Sequence, residues 1–193
     1  MKPDLDHWLA DATLRVAHRR EVSVPPEELW DAARTIRLRD AAMLGRLIRA
    51  RIPGIASGLA FDELFRAAPF VVLDAECDQA LLAGLVGRIW TLRRDYPRLA
   101  GAEEFRRWSR PGTARVLFAN WVQDGGAGRS ALVSETRVQA IGAQGRLGVA
   151  AVRPLVSACQ HLVASDGIEA AVRLAQARRA ERRATDGHPA QGR

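Results

Sequence analysis

The 193-residue chain has little of several things, and each shortage excludes something. It has two cysteines, Cys77 and Cys159, with no C-x-x-C spacing, so neither a disulfide scaffold nor a thiolate metal site is indicated. Both read as small buried apolar residues with free thiols. Its four histidines, His7, His18, His161 and His188, are scattered and make no metal-ligand spacing with acids or thiols. The longest stretch without a charged residue runs from Pro154 to Ser165, well short of the ~20 apolar residues a spanning helix needs. The N-terminus, Met-Lys-Pro-Asp-Leu-Asp, shows no apolar signal-peptide core, so a cytoplasmic protein is expected. Nucleophile signatures are also missing: there is no G-x-S-x-G, no Ser-x-x-Lys and no recognisable Cys–His pair. No metal and no cofactor is expected.

What is present is soluble globular composition, 48% hydrophobic and 26% charged. The formal net charge of +7 suggests an anionic partner until it is divided by region. Arg173 to Arg193 holds six arginines against Glu181 and Asp186, or +4, which leaves +3 on the other 172 residues. Lys2 is the one lysine among 29 Lys and Arg, a skew that a GC-rich coding sequence explains. Arg178/Arg182 and Arg179/Arg183 recur at i,i+4 at the expected end of a helix, where cations complement its dipole. A solvated helix end is therefore favoured over a nucleic-acid patch.

Along the chain, a short helical lead (Asp4–Ala12) precedes a strand in which Leu14, Val16, Val22 and Val24 alternate with Arg15, Ala17, Glu21 and Ser23. Pro25-Pro26 followed by Glu27-Glu28 opens a helix with Leu29, Trp30, Ala33 and Ile36 on one stripe. A second helix is read over Asp40–Arg51, with Met43, Leu44, Leu47 and Ile48 on one face, ending at Pro53-Gly54. Phe70–Glu76 and Ala80–Trp90 read as apolar strands with a tight junction at Cys77-Asp78-Gln79. Gly84 and Gly87 inside the second imply a bend or a close neighbour. A short apolar piece around Phe105 and Trp108 follows. Ala114–Gln123 and Ser130–Ala140 then form a hairpin through Asp124-Gly125-Gly126-Ala127-Gly128-Arg129. That loop lacks phosphate-loop spacing and leads into a strand, so it is read as a turn. From Gly142 onward Val152, Val156, Cys159, Val163, Ala170 and Leu174 recur at helical steps, with Pro154 as the start or a kink. A single domain over 1–184 is expected, with a disordered tail over 185–193.

Hairpin-spaced strands followed by one long amphipathic helix imply an α+β fold. In it a curved antiparallel sheet has one apolar face covered by that helix. Such a sheet can enclose more space than the side chains fill, which is the usual form of a small-molecule site. The order, together with Val22-Ser23-Val24-Pro25-Pro26-Glu27-Glu28-Leu29-Trp30, resembles the START/polyketide cyclase (SRPBCC, helix-grip) superfamily, where a strand ending "I-x-A-P-P-E-x-V-W" precedes two short helices. Leu132-Val133-Ser134-Glu135-Thr136-Arg137-Val138 is similar to the "L-x-T-E-T-R-V" strand of an uncharacterised bacterial branch. Leu85-Val86-Gly87-Arg88-Ile89-Trp90 is similar to that branch's "L-V-G-R-F-W". The likeness spans roughly Thr13 to Arg179. Ala17-His18-Arg19 stands where the branch often has "E-R-H", so no role of that acid carries over. The resemblance implies the fold strongly and the function weakly, since the superfamily includes lipid carriers, hormone receptors and aromatase/cyclases.

Candidate site residues follow from strand parity. His18 and Arg20 share parity with Leu14, Val16 and Val22, so His18 is a candidate proton shuttle and Arg20 a candidate ligand contact. Asp74 and Glu76 are expected opposite Arg88 and Trp90, either as open-face ion pairs or as an inward polar set binding a ligand. Asn120 and Trp121 point to opposite faces, so at most one of them lines a cavity. Glu135 and Arg137 share a face that the sequence does not orient. An inward Glu135 would be a general acid or base with a raised pKa; an outward one would pair with Arg137 or Arg115. Three functions are in play: binding of an apolar or amphipathic small molecule (lipid, polyketide or isoprenoid); cofactor-free cyclase, isomerase or dehydratase chemistry by orientation and proton transfer; and an interaction module using the Arg-rich C-terminal helix.

Overall fold

The computed structural model describes residues 2–41, 46, 56–74, 78–91 and 95–186, with backbone only for 155–165 and 186. In order the elements are α1 (Leu5–Leu9), β1 (Leu14–Val22), α2 (Pro26–Thr35), α3 (Phe61–Arg66), β2 (Val71–Asp74), β3 (Ala80–Gly87), α4 (Ala102–Arg107), β4 (Thr113–Gly126), β5 (Arg129–Ile141) and α5 (Gly142–Asp186). The expected helix over Asp40–Arg51, including Met43, Leu44, Leu47 and Ile48, falls mostly outside the described residues. So do Cys77 and His188, and the side chains of Cys159 and His161.

Every strand pairing is antiparallel, in the order β1-β5-β4-β3-β2, which makes β1 and β2 the edges. Chain-adjacent strands pair except for β1, which crosses to β5. Local chemistry sets the boundaries. Pro26 opens α2 where its missing N–H costs nothing, and Glu27 and Glu28 sit at the positive end of the dipole. The β4–β5 hairpin turns through Gly126, Ala127 and Gly128, all at positive φ, with Asp124 Oδ1 accepting from the Gly126 N–H at 2.8 Å.

The 45-residue α5 lies along one face of the curved sheet, packing on β5, β1, β4 and α2, so the architecture is a helix-grip fold. Pro154 lies inside α5, which starts twelve residues earlier at Gly142, so the proline neither opens nor ends it. The helix also runs through Asp186, two residues into the stretch expected to be a tail. Its basic end is docked: Arg178 donates to Thr35 Oγ1 (3.2 Å), Arg179 to the Ser23 carbonyl (2.6 Å), and Arg182 lies 3.8 Å from Glu28. These arginines fasten α5 to the β1–α2 corner, where a solvated helix end was expected.

The expectation of one covered face needs correction. Leu5 and Leu9 of α1 and Phe105 of α4 cover the outer face over Leu73, Leu82, Val86, Leu117, Ala119, Trp121 and Val133. The α5 side carries two further clusters. One gathers Leu14, Leu85, Val116, Val138 and Val149; the other gathers Val22, Leu29, Trp30, Leu81, Val122, Leu132, Ile168 and Val172. All eight residues of β3 are buried as a result. Among the described residues no helix is long and apolar enough to cross a membrane.

Candidate functional site

The strand registers set out the α5-facing surface row by row. Leu14, Val138, Val116 and Leu85 align across four strands and are all buried, capped by Val149 of α5. Toward the hairpin tip, Leu132 and Val122 are buried beneath Ile168 and Val172, with exposed Arg20 at the β1 edge. Between these sealed ends lie the rows Val16–Thr136–Phe118 and His18–Ser134–Asn120, on β1, β5 and β4. All six of these residues are half-buried. On β4 the outer-face neighbours Leu117, Ala119 and Trp121 are at most 2% exposed. These two rows are thus less buried on the α5 side than β4 is on its outer face.

This surface is amphipathic. Phe118 belongs to an aromatic group with Phe65 (centroids 5.5 Å apart) and Phe70 (5.7 Å), and Phe61 stands 6.4 Å from Phe65. Beside that apolar wall stand His18, Ser134, Asn120 and Thr136. Among the described residues the side chains of Ser134, Asn120 and Thr136 make no hydrogen bond. Protein polar groups facing an interior normally have a partner, so these three are suited to one supplied by a bound molecule or water. The same motif that carried the family resemblance contains Ser134 and Thr136. Their parity with Leu132 and Val138 is the one sequence signal that marks them.

The other predicted site residues do not join these rows. Glu135, Arg137 and Trp121 lie on the outer face, pairing across strands with Ala119, Leu117 and Val133. There Arg137, 2% exposed, donates to Glu135 Oε1 (2.6 Å), to the Leu9 carbonyl (2.9 Å) and to Asp6 Oδ1. Arg15 Nε lies 3.4 Å from Glu135. Glu135 is therefore an ion-paired anchor for α1, facing away from the space where an acid or base would act. Arg115 is not its partner and instead donates to Gln139 (2.9 Å). The Asp6 carboxyl is held below its ordinary value by the Arg137 hydrogen bond and charge.

Arg88 and Trp90 lie past the end of β3, while β2 reaches only from Val71 opposite Gly84 to Asp74 opposite Leu82, so no ladder sets acids against them. Arg88 Nε instead lies 3.7 Å from Asp95, and the Trp90 ring packs on Gly148 of α5. Glu76 lies outside the described residues. Gly84 and Gly87 are the close-approach points their position implied. The Phe105 ring sits over Gly84, and the Asp95 carbonyl crowds Gly87, whose φ is +141°. Of the candidates, His18 and Asn120 are brought together in one row, with Arg20 next to His18 on the same face of β1.

Among the described residues no cluster of His, Cys, Asp and Glu could hold a metal ion. No family model matches the sequence, and no curated protein matches it. Among solved structures, the chain is similar to the Zhui aromatase/cyclase from Streptomyces sp. R1128 at 17% identity and a TM-score of 0.38. That match covers 93% of this chain and 99% of the other. It is also similar to TTHA0849 from Thermus thermophilus at 10% identity and a TM-score of 0.36, over 86% of this chain and 99% of that one.

Proposed function

We propose that the protein binds an apolar or amphipathic small molecule, of lipid, polyketide or isoprenoid type, in the hollow between the sheet and α5. One observation carries the reading: six half-buried side chains sit on β1, β5 and β4 between two buried apolar clusters, and three of their polar groups make no hydrogen bond among the described residues. The Phe118 wall takes the apolar body, and the His18–Ser134–Asn120 row fixes its polar end. A suitable probe is N-phenyl-1-naphthylamine, a neutral apolar fluorophore that brightens out of water. The wild-type protein is expected to bind it, and Ser134→Phe, which fills the hollow, to weaken binding by about tenfold or more, a change worth about 1.4 kcal/mol. Equal affinity in a folded Ser134→Phe variant would contradict the reading.

A second reading is favoured by His18, which stands in register beside Ser134 and Asn120. It is a cofactor-free cyclase, isomerase or dehydratase in which the hollow holds the substrate in one folded shape and His18 moves a proton. Turnover of a polyketide-like substrate that is lost in His18→Ala, with probe binding retained, would select it over simple binding. The interaction-module reading is weakened because Arg178, Arg179 and Arg182 are engaged within the chain.

A further inference from the structure

The edge strand β1 and the C-terminal half of α5 part to leave a groove of about 270 Å³, lined by Arg20, Glu21, Glu169, Val172, Arg173 and Gln176. Its charges do not cancel. Glu21 is taken by Arg19 (2.5 Å) and Arg129 (3.0 Å), and Glu169 has Arg173 at 3.6 Å. Arg20 forms no hydrogen bond or ion pair among the described residues. An uncompensated guanidinium therefore stands at the sheet edge, on the same face of β1 as His18 and one row from the hollow. The loose Arg173–Glu169 contact, between two exposed side chains, holds the second guanidinium weakly. Val172 lines the groove and belongs to the apolar cluster that closes over Leu132 and Val122 on β5 and β4, while the β1 edge beside it, at Arg20, stays exposed.

Resting on the ligand-binding reading above, we infer that this groove receives the acidic end of an amphipathic anion whose apolar body lies in the hollow. Arg20 and Arg173 hold the oxyanion and Gln176 offers a neutral donor. A guanidinium fork suits a carboxylate and a phosphate alike, so the shared chemistry is an oxyanion on an apolar tail.

Displacement of N-phenyl-1-naphthylamine by dodecanoate, dodecyl phosphate and dodecan-1-ol tests this, since the three share a chain and differ in the head. At least one anion is expected to displace the probe at about one-tenth the concentration dodecan-1-ol requires. The stronger of the two identifies the head group. In Arg20→Gln the advantage should shrink severalfold, and in Arg20→Gln/Arg173→Gln it should vanish with dodecan-1-ol unchanged. Both side chains are exposed, so the fold is expected to persist. Equal displacement by the anions and the alcohol in the wild type, or a preference that survives the double substitution, would overturn the proposal while leaving the hollow intact. Failure of the wild type to bind the fluorophore at all would overturn the hollow, and this proposal with it.

Discussion

Arg137 is buried beneath α1 with its guanidinium shared among the Glu135 carboxylate, the Asp6 carboxylate and the Leu9 carbonyl. Removing it strands a carboxylate whose other cation, Arg15, is half exposed at 3.4 Å. Breaking a buried pair from one side costs about 3–5 kcal/mol, whereas replacing both partners with apolar groups can be nearly neutral. Arg137→Met is thus expected to lower the urea midpoint markedly, and Arg137→Met/Glu135→Leu to recover much of the loss. Asp6 adds a pH dependence. Its folded pKa lies below the ordinary 3.8, so its contribution is present above that value and is lost as pH falls through the lowered one. Amide exchange should show the protection of α1 falling in that acid window, and no such step in Arg137→Met. That Glu135 and Arg137 share a face was legible in the sequence. Which face they share was not, because Leu132 and Val133 beside them are both buried and their neighbours do not alternate in polarity.

At the scale of elements, the long helix is fitted to the sheet at Gly148. A Cβ there would lie 2.2 Å from the Trp90 ring. Alanine is the better helix former by about 1 kcal/mol, yet overpacking against a ring costs about 1–3 kcal/mol. Gly148→Ala should therefore destabilise the protein, and in a Trp90→Ala background the same substitution should stabilise it. Thermal or urea unfolding of the four proteins reads the sign directly. The strands and their hairpin were legible from period-two runs and the glycine-rich turn. The unbroken apolar run of β3 also carried the second covered layer, since a strand buried on both faces loses its alternation. The short α3 and α4 lack the two or three turns that make helical periodicity readable. Of the two readings of Pro154, a helix start or a kink, the helix that begins at Gly142 excludes the start.

For the whole molecule, the order strand, helices, hairpin strands and long helix determined the architecture before any coordinate. The half-buried patch facing α5 followed only once the register was known. Its polar row comes from three strands, one of them far from the others in sequence, and half-burial is a property of the packed molecule. The central claim is that the space beside Phe118, Asn120, Ser134 and Thr136 houses a guest molecule. A crystal structure of the protein saturated with N-phenyl-1-naphthylamine tests it most directly. Fluorophore density is expected between those side chains and α5. Density confined to the outer surface, with the interior closed over by protein side chains, would contradict the claim.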